Sequence, residues 1–358
     1  MLSDLYRRRI HVQTFQPLNN VRIVLQLIMD VIPATAAPDF AGIEEWINTE
    51  LLSLKELKGK VILLDCWTYT CIFCLRSIPI VRRLHEKYSK HGLVVIGAHS
   101  AEYHFAANTA NVKRALERYS VNFPIALDTK NKTWEAYGNS FWPKHVLIDS
   151  NGLIRYEHAG YGSIQEFEAP IIELLQEVGQ NPPFELEKQD PDDKIYDIHG
   201  MHFDGMSPEI CVGHSRLMRF GNTHKAEPGK VNQFKDSGKH LDNMVYLRGS
   251  WFWDREGVKY SGKEGNNAAV IMKYNAKRVN TIVGTEDGKP ARIEVKLDGS
   301  YLIKENAGYD VTVENGISYV NVAWDFMHNL VKTEKPEIHE IEIIPKTSNF
   351  VFYTFVFG

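Results

Sequence analysis

Along the first half of the chain, short continuous apolar runs alternate with stretches of helical spacing, whereas along the second half strand-like runs follow one another between turn residues. Val61 to Trp67 and Leu93 to Ala98 are almost wholly apolar, the pattern of central strands buried on both faces. A helix is predicted from Cys71 to about Lys90, broken by Pro79, because proline inside a helix removes a hydrogen bond and kinks the rod. Asn108 to Tyr119 has helical spacing, Phe123 to Leu127 reads as a short strand and Thr133 to Tyr137 as a short helix. Phe141 to Asp149 enters a strand, Asn151-Gly152 is a hairpin turn, Leu153 to His158 returns antiparallel, and Ile164 to Val178 is a last amphipathic helix. Upstream, Ser53 with Glu56 forms a capping box and Gly59 a helix stop. These elements predict an α/β domain over residues 38–180, a mixed sheet flanked by helices.

Residues 181–200, rich in proline and acidic side chains, read as a linker. Over residues 201–358 the runs from Val245 to Phe357 are almost free of helical spacing, and Asp287-Gly288, Asp298-Gly299 and Asn315-Gly316 are hairpin signals. That half is expected to be an all-β sandwich of jelly-roll type. Residues 1–37 stand apart as an N-terminal extension. Arg7-Arg8-Arg9, an apolar stretch from Val21 to Ile32 and Ala34-Thr35-Ala36 vaguely resemble a secretory leader. Arg22 and Asp30 interrupt the run, however, and it falls short of the roughly 18 apolar residues of a membrane span. The expectation is a soluble, uncleaved protein, cytoplasmic rather than extracytoplasmic, with a start at Met29 as the alternative.

Composition adds little to the fold and more to the chemistry. A length of 358 residues suits two domains, and 44% hydrophobic with 24% charged residues is ordinary for a globular protein. A net charge of −4 argues against nucleic-acid binding, which calls for a basic stripe. Four cysteines are too few for a disulfide framework. Two of them form Cys71-Ile72-Phe73-Cys74 where a strand gives way to a helix, the setting of a thioredoxin-like redox motif. A thiolate in a first helical turn is stabilised by unsatisfied N–H groups and the positive end of the dipole, which lowers its pKa and makes it a nucleophile. One turn on, a second thiol can close a disulfide and release a mixed-disulfide intermediate. Position makes Cys71, nearer the helix start and solvent, the attacking thiol and Cys74 the resolving one. The alternatives are inert structural thiols or half of a zinc site. Zinc needs about four ligands; Cys66 and Cys211 are unpaired, and His85 alone does not complete a set.

Asp65 is an anomaly in an apolar strand, since a buried carboxylate must be paired or protonated. It is a candidate proton acceptor for Cys74, its pKa raised by burial toward the operating pH; the alternative is an ion pair with a lysine such as Lys60. Trp67 and Phe73 are expected as an apolar collar around the sulfurs, or as plain core. Glu102, after a strand's carboxyl end, is a candidate for tuning the site. His99 and His145 read as satisfied structural histidines, and Cys66 and Cys211 as buried small hydrophobes.

At this point a resemblance enters. Residues 38–180 resemble thioredoxin-like domains of the TlpA and redoxin type, through the C-x-x-C helix with Pro79, Asp65 six residues before Cys71, and Trp142-Pro143 ahead of a strand. The segments Pro38-Asp39-Phe40, Trp46-Ile47-Asn48, Trp67-Thr68-Tyr69-Thr70-Cys71, His99-Ser100-Ala101-Glu102 and Trp142-Pro143-Lys144-His145 are similar to the corresponding domain of DipZ-type cytochrome c biogenesis proteins and their soluble relatives. Cys66 stands where such domains usually carry an aromatic residue, and Ala101 where they carry proline. The resemblance implies a cis Pro143 beside the disulfide. The backbone of that loop would pair with a substrate peptide, with Trp142 beside Trp67 and Phe73 on the substrate side; an ordinary trans turn proline is the alternative.

The second half resembles the carbohydrate-binding-module-like C-terminal module of the same proteins, through Ser207-Pro208-Glu209-Ile210, Gly213-His214-Ser215-Arg216, Leu297-Asp298-Gly299 and Phe355-Val356-Phe357-Gly358. Trp251, Phe252, Trp253 and Tyr260 suit either an aromatic platform for a sugar or packing between sheets, and carbohydrate binding is not claimed. The expectation is a thiol–disulfide oxidoreductase acting on protein or small-molecule disulfides, coupled to an external dithiol reductant or oxidant, with no tightly bound cofactor. Its rivals are a peroxiredoxin-like peroxidase, disfavoured because Leu64 stands where a proline belongs, and a partner- or carbohydrate-binding module whose cysteine pair is structural.

Overall fold

The computed structural model describes residues 35–160, 165–183, 193–217, 219–222, 226–263 and 267–358. The expectations for the leader-like stretch up to residue 34 lie outside the described residues. The first domain is a seven-stranded mixed sheet in the order β1-β7-β6-β3-β4-β5-β2. Its strands are β1 (Thr35–Ala36), β2 (Trp46–Ile47), β3 (Val61–Trp67), β4 (Leu93–Ser100), β5 (Ile125–Asp128), β6 (Lys144–Ile148) and β7 (Leu153–Ala159). Its helices are α1 (Ile72–Tyr88), α2 (Thr109–Arg118), α3 (Lys132–Ala136) and α4 (Gln165–Glu177). β3 is buried at every position, as its apolar run implies, and pairs parallel with β4 and antiparallel with β6.

Three local expectations are corrected. Pro79 lies inside α1 without ending it, so the helix runs unbroken from Ile72 to Tyr88. Ser53 and Glu56 do bond as a capping box, with Glu56 N donating to Ser53 Oγ at 3.3 Å and Ser53 Oγ to Glu56 Oε2 at 2.7 Å, but the turn they start does not grow into a helix. The second part of the expected linker is helix α5 (Lys194–His199), capped by Asp193, with Ile195, Tyr196, Ile198 and His199 buried. Its apolar stripe decides its place: Tyr196 Oη donates to the Arg76 carbonyl of α1 at 2.9 Å.

The second domain is built on an eleven-stranded antiparallel sheet, among the described residues, with two long strands, β12 (Ala269–Thr285) and β17 (Phe326–Pro345). The others are β8 (Ile210–Cys211), β9 (Val231–Phe234), β10 (Val245–Trp253), β11 (Val258–Tyr260), β13 (Ala291–Leu297), β14 (Ser300–Tyr301), β15 (Thr312–Glu314), β16 (Ile317–Val322) and β18 (Phe350–Phe357). Two of its hairpins turn on Asp298-Gly299 and Asn315-Gly316, all four residues at positive φ, the backbone a two-residue hairpin loop requires. Trp251 and Trp253 share the buried face of β10 while the half-buried Phe252 turns away. With Tyr260 also buried, this aromatic cluster is core, not an open sugar platform.

The two domains share a core. Ile282, Phe326, Met327 and Val356 of the second pack in one cluster with Tyr69, Leu75, Leu116 and Tyr119 of the first. At the seam the fully buried Arg76 of α1 donates from Nε to the Gly200 carbonyl and from Nη2 to the Phe357 carbonyl, both at 2.9 Å. Arg118 Nη2 donates to both carboxylate oxygens of Asp310, at 2.9 and 2.8 Å.

Candidate functional site

Cys71 is the N-cap of α1, in extended conformation, and its Sγ accepts the backbone N–H of Cys74 at 3.3 Å. The turn before it is held from several sides. Cys71 N donates to the Thr68 carbonyl at 3.2 Å, and Tyr69 N donates to Nε2 of the buried His99 at 3.3 Å. Cys71 is half-buried whereas Cys74, one turn in, has no exposed surface. Burial, together with the neighbouring Cys71, pushes the Cys74 thiol well above its ordinary value. One sulfur thus sits at the mouth of the site with a helix N-terminus behind it, and the other is a buried thiol that needs a base before it can ionise.

The alternation along β3 puts Val61, Leu63, Asp65 and Trp67 on the face under α1. Asp65 is 1% exposed and burial pushes its carboxyl up to about 8. Among the described residues no lysine or arginine pairs with it, so the expected alternative of a pair with Lys60 does not form. It faces His145, its direct partner on β6, with Oδ1 and Nε2 3.3 Å apart but not aligned for a hydrogen bond. Neither carboxylate oxygen of Asp65 and neither ring nitrogen of His145 has a hydrogen-bond partner among the described residues. His145 is therefore not the satisfied structural histidine that the sequence suggested; His99 is one. A second correction concerns Trp67. It is fully buried and meets His99 edge to face with ring centroids 5.3 Å apart, so it supports the motif from below and presents nothing to a substrate. Phe73 remains half-buried, with the Arg76 guanidinium 5.7 Å from its ring centroid.

The Trp142–Pro143 peptide is cis. Trp142 is half-buried and stacks on Trp134 with ring centroids 4.2 Å apart, while the Pro143 carbonyl accepts Gly160 N at 2.7 Å. Cys66 is buried on the opposite face of β3, its thiol pushed up to about 12 by burial, which keeps it inert. Cys211 is also buried, with Tyr103 Oη 3.9 Å from its sulfur.

The second domain contributes residues that sequence reasoning did not place here. Glu102 accepts Thr70 Oγ1 at 2.6 Å on one oxygen and Arg216 Nη1 at 2.8 Å on the other, so the residue before Cys71 is tied across the domain boundary. Tyr69 Oη donates to the Asp325 carbonyl at 3.2 Å, and the Tyr69 ring lies 6.0 Å from that of Trp324. No local signal marks Arg216 or Trp324, because their role depends on how two domains dock.

This geometry agrees with what the chain is similar to. Residues 33–171 match the Redoxin family and residues 207–358 the family described as Thioredoxin like C-terminal domain. Protein DipZ of Mycobacterium tuberculosis is 34% identical over 269 residues, 72% of this chain and 37% of that protein, so the chain spans little more than a third of that relative. Thiol-disulfide oxidoreductase ResA of Halalkalibacterium halodurans is 30% identical over 132 residues, 37% of this chain and 72% of that protein. NHL repeat-containing protein 2 of Homo sapiens is 35% identical over 130 residues, 36% of this chain and 18% of that protein. A Redoxin first half with a cysteine-capped redox helix, and a thioredoxin-like C-terminal domain docked on it, establish that the chain belongs to the thioredoxin-like family of redoxin type.

Proposed function

We propose that this chain is a thiol–disulfide oxidoreductase. Cys71 attacks a substrate disulfide and forms a mixed disulfide; Cys74 then attacks the Cys71 sulfur, releases the substrate thiol and leaves a Cys71–Cys74 disulfide. An external dithiol restores the reduced pair, and in the opposite direction the same steps oxidise a substrate dithiol. The observation that carries the reading is geometric: the half-buried Cys71 sulfur caps α1 and accepts the Cys74 N–H, while Cys74 lies one turn further in and fully buried. Asp65, buried on the face of β3 beneath α1, is the base for Cys74. The Trp142–Pro143 loop and Phe73 are the substrate-facing side. Since the Pro143 carbonyl is already engaged, backbone pairing with a peptide falls to Trp142. Substrates are protein or small-molecule disulfides.

The test is equilibration of the Cys71–Cys74 couple with glutathione or dithiothreitol. A potential near roughly −270 mV marks a reductant of other proteins and one near roughly −120 mV an oxidant. Cys74→Ser is expected to trap a mixed disulfide at Cys71. No reversible two-electron couple, or no trapped adduct, overturns the proposal.

A further inference from the structure

Asp65 does not stand alone beneath Cys74. It is the first of three titratable side chains in a row across adjacent strands: Asp65 of β3 is register partner to His145 of β6, and His145 to His158 of β7. Directly opposed residues share one face with Cβ atoms about 5 Å apart. The row lies on the α1 and α4 side of the sheet, where the Phe167 ring packs against both imidazoles at centroid distances of 5.3 and 6.1 Å. It starts at 1% exposure at Asp65, stays buried at 2% in His145, and ends at the half-buried His158. Among the described residues β1 pairs with β7 at Leu153 and Ile154, and His158 lies four residues beyond that pairing, half-buried. Both oxygens of Asp65, both nitrogens of His145 and Nε2 of His158 are buried with no hydrogen-bond partner among the described residues. Orphaned buried polar atoms are costly, and here five of them line up between a buried thiol and the surface.

We propose that Asp65, His145 and His158 form a proton path connecting the buried Cys74 thiol to solvent through the half-buried His158. This rests on the redox reading of Cys71 and Cys74. Asp65 rests protonated at neutral pH; once its proton has left along the row it is a carboxylate, and during resolution the Cys74 proton passes to it as the Cys74–Cys71 S–S bond forms and the bond from Cys71 to the substrate sulfur breaks. The electron pair leaves with the substrate thiolate, which takes a proton from solvent. Asp65 hands its proton to His145 Nε2 while His145 releases the proton on Nδ1 toward His158, so the buried ring changes tautomer without holding a positive charge. Re-reduction of the disulfide by an external dithiol runs the path backwards, returns a proton to Cys74 and resets the tautomer. Burial, with His158 alongside, depresses His145 to about 3, consistent with a ring that stays neutral between transfers. Among the described residues, Cys74 of α1 meets Asp65 electrostatically and the Phe167 ring of α4 packs on both imidazoles, while the nearby Glu168 carboxylate is held away by Lys87 Nζ at 3.0 Å and Tyr88 Oη at 2.6 Å. Lys144 and Glu157 pair with each other at 3.2 Å, at the alternate strand positions that face the other side of the sheet.

The experiment is a stopped-flow reaction of the reduced full chain with one equivalent of 5,5′-dithiobis(2-nitrobenzoate). Attack by Cys71 releases one thionitrobenzoate and resolution by Cys74 the second, so the two steps separate. In His145→Asn and His158→Gln the first phase keeps its wild-type rate, while the second slows about tenfold at pH 7. In the variants it also becomes dependent on buffer concentration, because an external base must replace the path; in the wild type it is not. If His145→Asn fails to fold, the half-buried His158→Gln decides alone. A second phase within twofold of wild type and independent of buffer overturns the proton path and leaves the redox reading intact. Slowing of both phases equally, without buffer dependence, assigns the histidines a structural role and also overturns it. A wild-type protein that releases only one equivalent overturns the redox reading itself.

Discussion

Arg76 offers the sharpest test of how the second domain is held on the redox helix. Its side chain is 1% exposed and spends Nε and Nη2 on the carbonyls of Gly200 and Phe357. The variant is Arg76→Met, which keeps the apolar stem and removes the donors. Hydrogen bonds to charged groups contribute about 1.5–3 kcal/mol each, and losing them leaves two carbonyls without partners in a buried seam, so the seam should loosen by about 3–6 kcal/mol. The reporter is native-state hydrogen exchange at Lys277 and Arg278, whose amides donate to the Gly358 carbonyl at 2.9 and 2.6 Å. At tenfold per 1.4 kcal/mol, their exchange should accelerate about 10² to 10⁴-fold until capped by global opening. Lys346, whose amide donates to the Arg292 carbonyl at 2.8 Å near the β13–β17 pair, is the control and should change little. Arg76→Lys should fall between, because an ammonium keeps the charge but lacks the planar fork that serves two carbonyls. Acceleration below about fivefold at Lys277 and Arg278, a change under roughly 1 kcal/mol, would refute the claim that Arg76 clamps the seam.

Asp65→Asn reports on the buried carboxyl through pH. Its folded pKa of about 8 lies above the unfolded value near 3.9, so the folded state holds the extra proton and wild-type stability falls as pH rises between those values. The variant should therefore gain on the order of 4 kcal/mol on wild type between pH 4 and pH 7, measured by denaturant unfolding at both; a pH-independent difference would contradict a protonated Asp65. Asp310→Ala removes the carboxylate from the half-buried Arg118, and should cost about 1.5–3 kcal/mol by the same unfolding measurement, whereas a cost below roughly 1 kcal/mol would place that bridge with weak surface pairs. Gly97→Ala puts a Cβ 2.6 Å from Ile125 Cδ1 and 2.9 Å from Trp67 Nε1, and should destabilise by about 1–3 kcal/mol through overpacking; an unchanged melting temperature would show that Trp67 can shift.

What the sequence reveals depends on how local each determinant is. β3, β4 and α2 were legible because burial on both faces or a single apolar stripe leaves a periodic signature, and Asn108 caps α2 within a residue of its expected start. β1 and β2 are two residues each and exist only because β7 and β5 offer edges. The runs at Val270 and Arg278 look like two strands because polar Asn275 and Lys277 separate them, yet they form the single strand β12 with a register shift between Ala276 and Arg278. The middle of β17, from Lys332 to Glu337, is largely exposed on both sides and so carries no alternation. In the site, Cys71, Cys74 and Asp65 could be singled out because spacing and an ill-fitting charge are local properties. His145 was misjudged because whether a buried histidine is satisfied depends on register with β3 and β7, which no stretch of sequence around it encodes.

The shared core makes a further prediction about separability. Ile282, Met327, Phe326 and Val356 are buried in a cluster with first-domain side chains, and fully burying such a residue stabilises by about 1.5–3 kcal/mol. If the first domain supplies half of that burial, the contact is worth about 3–6 kcal/mol, comparable with the whole stability of a small domain. The first-domain side chains on the other side of it include Tyr69, two residues before Cys71, which also loses its hydrogen bond to Asp325 when the domains part. A protein ending at residue 200 should therefore do more than lose a binding module: it should expose Tyr69, Tyr103 and Phe105 and release Thr70 and Glu102 from Arg216. The expected result is a fragment that aggregates or melts well below the full chain, and whose Cys71 reacts with an alkylating reagent at a different rate. A monomeric fragment with full-chain melting temperature and unchanged Cys71 reactivity would mean that the second domain rests on the redox domain without shaping it.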